Sequence, residues 1–175
     1  LILIRHGQSE WNQQKRFTGW VDVGLTDKGR AEAKKAGELI KKKKIKLDSF
    51  YSSYQKRAND TLKIVMKELN EDENLIIKKW QLNERHYGEL TGLNKEDMKK
   101  KYGEEKIHQF RRSWDIKPGA LNKKSPYHPL NIETYKDIPV SDIPDSESLK
   151  ETQKKMIIVG VRASPVMEFL TGIMI

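Results

Sequence analysis

Leu1-Ile2-Leu3-Ile4-Arg5-His6-Gly7 is the stretch on which the fold turns. Four consecutive apolar residues, cut off by Arg-His-Gly, predict a strand buried on both faces, the pattern of a central strand in a parallel sheet. In open α/β sheets, ligands bind beyond the carboxyl ends of strands. Arg5 and His6 fall at such an end. Further along, Thr26 has the character of an N-cap. Ala33, Ala36, Gly37 and Ile40 then recur on one narrow helical face. Residues 47–51 predict a second strand. Ser52-Ser53 leads into another helix, with Ala58, Leu62, Val65 and Leu69 on one stripe and Arg57 in its first turn. Residues 75–77 predict a third strand. This alternation predicts an α/β fold, a three-layer α/β/α arrangement around a mostly parallel central sheet.

From about 82 to 144 the texture changes, with frequent Gly, Pro and Asn and high charge. This segment reads as an insertion of helices and loops. Residues 156–161 (MIIVGV) return to a buried-strand pattern. A parallel strand there would need a crossover of about a dozen residues before it, and 146–155 barely supplies one. Beyond Val161 the chain is more compressed still. The expectation is one catalytic domain over 1–175 with internal segments missing after about 145.

Composition narrows the function. Among 175 residues, 34 Lys+Arg stand against 25 Asp+Glu, a net charge of +9. The absence of Cys excludes a disulfide scaffold, a thiolate metal site and a Cys nucleophile. No apolar run approaches the roughly 18 residues of a membrane span. No signal-peptide pattern opens the sequence, and Leu1 in place of Met implies a trimmed N-terminus. The expected location is cytoplasmic, with no membrane partner. The positive charge could serve nucleic acid, an acidic membrane surface or a small polyanionic substrate. Lys clusters at 41–44, 78–79 and 99–101 read as solvated faces. A nucleic-acid module calls for basic residues interleaved with aromatics along one face, and RRSW at 111–114 is the one local hint. The Arg residues beside His, Glu and Tyr favour a small anionic substrate and no nucleic acid.

Arg5-His6-Gly7-Gln8-Ser9-Glu10-Trp11-Asn12 is the strongest chemical constellation. Neutral imidazole is nucleophilic near pH 7 and accepts a phosphoryl group on nitrogen. Gly7 lets backbone N–H groups approach an anion. Arg5 can fork onto phosphate oxygens. Ser9 and Asn12 can donate to those that remain.

LIRHGQSEWN, RFTGW and LTDKG resemble the histidine phosphatase superfamily, and within it the 2,3-bisphosphoglycerate-dependent phosphoglycerate mutases. QKRA at 55–58, LNERHYGELTGLNK at 82–95, RRSWD at 111–115 and SESLK at 146–150 extend the resemblance. It implies His6 as the nucleophile that becomes phosphohistidine, with Arg5 and Arg57 clamping the transferring group. It implies Glu84 as general acid/base, a task that suits a carboxyl whose pKa is lifted by burial or a nearby anion. Arg85, Tyr87, Lys95, Arg111 and Arg112 are implied to bind substrate, the two adjacent Arg taking its far, carboxylate end. Ser9, Asn12, Thr18 and Gly19 are implied further members of the phosphate site. Trp11, Phe17 and Trp20 read as packing around it, and His108 and His128 as locally bonded or solvent-facing.

The implied reaction interconverts 3-phosphoglycerate and 2-phosphoglycerate in glycolysis and gluconeogenesis. Its primer is 2,3-bisphosphoglycerate, it needs no metal, and the implied assembly is a homodimer or homotetramer. One departure stands out. The family follows its late strand with a second active-site His, whereas this sequence has Val161-Arg162-Ala163, and its four His are at 6, 86, 108 and 128. Rival readings are a bisphosphoglycerate synthase or phosphatase on the same scaffold, a basic nucleic-acid binder and a non-catalytic relative.

Overall fold

The computed structural model describes residues 1–159. A one-turn helix α1 (Glu10–Gln13) follows the RHG stretch, closed by a capping box between Ser9 and Asn12. Helix α2 (Asp27–Lys42) starts at the Thr26 N-cap, whose hydroxyl accepts from the Gly29 amide. Strand β1 (Phe50–Ser52), helix α3 (Lys56–Leu69) and strand β2 (Ile76–Lys78) complete a β-α-β unit. The two strands pair in parallel with Phe50 opposite Ile76. The fold is therefore α/β with a parallel sheet, as the alternation predicted. The described sheet has two strands.

Helices α2 and α3 pack closely. A side-chain carbon at Gly37 would lie 2.8 Å from Glu68 Cβ and 3.1 Å from the Val65 carbonyl oxygen, so only glycine fits that crossing without displacement. Gly7 and Gly29 meet backbone to backbone. A Cβ on Gly7 would stand 2.1 Å from the Gly29 oxygen. The start of α2 is thereby held against the segment bearing His6.

Residues 82–144 hold helices α4 (Lys95–Tyr102) and α5 (Glu104–Arg112) and several single 3-10 turns, with no strand. Their apolar side chains join Phe17 and Trp20, from earlier in the chain, in two cores. Phe17, Leu90, Ile107 and Phe110 form one, against Tyr87 and Met98. Trp20, Tyr135 and Ile138 form the other. Trp11, Phe17 and Trp20 are all buried, as packing residues should be.

Two strand expectations are corrected. Among the described residues, 1–4 pair with no strand, and Leu1 is 90% exposed. An apolar run is a strand only where a neighbouring backbone accepts its ladder, and among the described residues β1 and β2 pair with each other and not with 1–4. Met156 and Ile157 end helix α6 (Leu149–Ile157) instead of starting a strand. The reason lies upstream: Ser148 and Glu151 form a capping box, and nothing in LKETQKKMI breaks the helix so begun. Ile158, expected in a buried strand, is 76% exposed. Residues 160–175, including Gly160-Val161 and Arg162-Ala163, lie outside the described residues. No described helix is long and apolar enough to cross a membrane.

Candidate active site

His6, Arg57 and Glu84 come together from three separate segments. His6 Nδ1 lies 2.7 Å from the Gly7 carbonyl oxygen, which can only accept, so Nδ1 carries the proton. Nε2 keeps its lone pair and accepts from Arg57 Nε at 3.2 Å. Burial, and then the Arg57 charge, lower the His6 pKa to about 4. The imidazole is therefore neutral at pH 7 with Nε2 aimed into the site.

Arg57, in the first turn of α3, is fully buried, and its guanidinium is nearly saturated. Nη1 donates to the Val21 carbonyl at 2.9 Å. Nη2 donates to the Gly19 carbonyl at 2.7 Å and to Glu84 Oε2 at 2.9 Å. Gly19 adopts φ +56°, and a Cβ there would crowd the Arg85 carbonyl at 3.1 Å. The second residue of α3 would sit elsewhere if the helix began differently. Its N-cap Gln55 makes no side-chain cap. Asp22 Oδ1 does that work from outside, accepting from the Lys56 amide at 2.6 Å. Thr61, one turn on, accepts from the Gly7 amide at 3.1 Å and donates to the Arg57 carbonyl at 2.8 Å.

Glu84 departs from the expected elevated acid. Desolvation pushes its pKa up, but the charges of Arg57, His6 and Arg5 and the Arg57 hydrogen bond outweigh it, and the carboxyl is held below its ordinary value. Its side chain is 36% exposed, against 0% for Arg57, so the pair opens toward solvent on the glutamate side.

A second group of cations lines the same region. Arg85 is buried, donates from Nη2 to the Arg111 carbonyl at 2.7 Å, and leaves Nε and Nη1 without partners. Its guanidinium carbon stands 4.9 Å from the Tyr87 ring centre. Lys95, the first residue of α4, has its pKa lowered by burial and then by Arg111. Arg112 is lowered by burial and then by Arg111, Tyr87 opposing and Arg85 and Arg5 adding. Arg5 itself is exposed, yet its charge reaches His6 and Glu84. Thr18 Oγ1 is buried without a partner. Among the described residues, the partnerless donors of Arg85, beside Arg111 and Arg112, fit an anionic ligand with more than one charged end.

Ser9 and Asn12 bond to each other, Ser9 Oγ to Asn12 Oδ1 at 3.0 Å, so both have a structural task in the capping box. Gln55 escaped sequence reasoning. Its Nε2 donates to the Gly19 carbonyl at 2.8 Å, and its Oε1 accepts from the Glu84 amide at 3.4 Å. It lies in the QKRA block, but no local pattern marks such a reach. His128 pairs with Asp145 at 2.9 Å, and His108 is exposed. Among the described residues, no three His, Asp or Glu gather as a metal site.

Residues 1–128 match the histidine phosphatase superfamily (branch 1). The chain belongs to that superfamily. A 2,3-bisphosphoglycerate-dependent phosphoglycerate mutase from Pelagibacter ubique is 64% identical over 157 residues, 90% of this chain and 66% of that protein. Its counterpart from Bacteroides fragilis is 46% identical over 90% of this chain and 63% of its own length. The chain thus spans just under two thirds of these curated relatives. Among solved structures, Bacillus stearothermophilus YhfR aligns with TM-score 0.60 at 22% identity, over 96% of this chain and 67% of its own. A mycobacterial glucosyl-3-phosphoglycerate phosphatase aligns with TM-score 0.57 at 25% identity, over 65% of this chain and 52% of its own.

Proposed function

We propose that the chain carries the phosphohistidine half of a 2,3-bisphosphoglycerate-dependent phosphoglycerate mutase active site. The observation that carries this is Arg57, which touches the nucleophilic nitrogen of His6 and the carboxylate of Glu84 at once. The substrate is a phosphoglycerate, anionic at both ends. Its phosphate would replace Glu84 on Arg57, and its carboxylate would meet Arg111, Arg112 and the free N–H groups of Arg85. When bound, 2,3-bisphosphoglycerate supplies the phosphoryl group that primes His6.

The residues supply the rest. His6 Nε2 attacks in line, and the Nδ1 proton, held by the Gly7 carbonyl, keeps the ring oriented. Arg57 and Arg5 neutralise charge on the transferring oxygens. Glu84, freed from Arg57, rises toward a proton-donating pKa and protonates the departing oxygen. In the reverse direction it takes the proton of the attacking hydroxyl.

We further infer a cytoplasmic homodimer or homotetramer, and a single domain with segments after about 145 missing, among them the family's second histidine. An intact mass well above 20.4 kDa is the expected result. A phosphatase reading is supported by the likeness to a glucosyl-3-phosphoglycerate phosphatase. Incubation with 3-phosphoglycerate, with and without the bisphosphate, separates them. Primer-dependent 2-phosphoglycerate supports the mutase; phosphate release alone replaces it with the phosphatase.

A further inference from the structure

The loop bearing Glu84, Arg85 and Tyr87 has no helix or strand to hold it. It runs between the 3-10 turns Trp80–Leu82 and Gly88–Leu90. His86, at its middle, is fully buried, so its backbone groups cannot turn to water. Both are tied to one residue far along the chain. The His86 amide donates to Glu147 Oε2 at 2.8 Å, and the Glu147 amide donates back to the His86 carbonyl at 3.0 Å. Lys155 of α6 grips both oxygens of that carboxylate, at 2.8 and 3.0 Å. The two side chains are only 5% and 7% exposed. The Lys155 ammonium also stands 4.9 Å from the ring centre of Trp20, neighbour of the Gly19 whose carbonyl holds Arg57.

A buried ion pair is a poor stabiliser, because desolvation cancels most of its attraction. Burial pulls the Lys155 pKa down even against the opposing field of Glu147. What the pair does supply is a fixed acceptor for the His86 amide, two residues from Glu84. We propose that Glu147, held by Lys155, is a positioning residue that sets the Glu84–Tyr87 loop so that Glu84 reaches Arg57. This rests on the reading of Glu84 as the proton donor and acceptor.

The titratable and charged groups facing Glu84 are Arg57, His6 and Arg5, with Lys95, Lys155 and Tyr135 also within its field. A carboxylate displaced from Arg57 loses its closest cation and titrates nearer its ordinary value. Two double variants isolate the clasp. Glu147→Ala with Lys155→Met removes the acceptor without orphaning a buried charge. Glu147→Gln with Lys155→Met removes the same charges but keeps an oxygen for the His86 amide. In 13C-glutamate-labelled protein, with the Glu84 resonance assigned by its loss in Glu84→Gln, the Ala/Met form should titrate at higher pH than wild type. The Gln/Met form should return toward wild type.

Transfer of label from 32P-2,3-bisphosphoglycerate to His6 should slow by the order of 10- to 100-fold in the Ala/Met form. Glu147→Asp, shorter by one carbon with its charge kept, is the milder variant and should shift the Glu84 titration in the same direction. Equal Glu84 titrations in wild type and a folded Ala/Met or Asp variant would overturn the proposal. A wild-type chain that takes no label would instead count against the functional reading, leaving the titration to decide on Glu147.

Discussion

Arg57 is the residue through which the site is organised, and its bonds carry a consequence for pH. Burial keeps His6 neutral, and the charge of Arg57 beside Nε2 adds to it. His86 is likewise held neutral, its pKa lowered to about 3 by burial and then by His128. In the unfolded chain both rings take up a proton near pH 6.5. Between that pH and their folded values the unfolded state binds more protons, so stability rises with pH and is lost as pH falls. At pH 5 each histidine should have cost about 2 kcal/mol relative to pH 8. Glu84, lowered in the fold, adds a loss of the same sign deeper in acid. Urea midpoints measured from pH 8 to 5 should fall steeply in wild type and visibly less in His6→Asn. An unchanged slope in that variant would mean His6 is not held neutral. His6, Arg57 and Glu84 were legible because each sits in a dense local motif. Gln55, Thr61 and Glu147 were not assigned roles, because a hydrogen bond to a residue dozens of positions away leaves no spacing to read.

The elements show where local patterns suffice and where they fail. Helix α2 was legible to its cap, since Thr26 and the small face at Ala33 and Gly37 are decided within one helix. The runs at 1–4 and 156–159 were misread because periodicity cannot separate a buried strand from other apolar segments without knowing its neighbours. Helix α3 gives the sharper lesson. Its start, on which Arg57 depends, is capped by Asp22 from another segment, and Asp22 Oδ2 also accepts from Thr134 Oγ1 at 2.7 Å. Asp22→Ala should cost about 1 kcal/mol from the lost cap, more if the Thr134 bond is also counted. The same variant should weaken labelling of His6, because the first turn of α3 loosens. At the α2–α3 crossing, Gly37→Val should destabilise by about 1–3 kcal/mol, the range for forcing carbon into a packed contact. Chemical denaturation reads both, and a neutral Gly37→Val would show that the helices can separate freely.

At the scale of the whole molecule, the +9 charge divides into solvated lysines and one convergent set. Lys41 and Lys42 lie in the last turn of α2 and are exposed, where cations suit the helix end. Arg5, Arg85, Lys95, Arg111 and Arg112 act on one another's field instead, and that crowding destabilises the free protein. An anion that binds only the folded state relieves it and shifts the unfolding equilibrium by RT ln(1 + [L]/Kd), about 2.7 kcal/mol at a hundredfold excess over Kd. Inorganic phosphate can satisfy Arg57 alone, whereas 3-phosphoglycerate has a second anionic end for the Arg111-Arg112 pair. Thermal unfolding should therefore shift upward with both ligands and further with 3-phosphoglycerate. Arg111→Ala with Arg112→Ala should abolish the difference while leaving the phosphate response. Arg57→Met should remove the response to phosphate, read against its own ligand-free baseline. Added salt should shrink all these shifts, most for the exposed far end, where screening acts within about 10 Å at 0.1 M. If the double-Ala variant still prefers 3-phosphoglycerate over phosphate, the far end of the substrate lies elsewhere. The cation cluster would then serve only to attract anions toward His6.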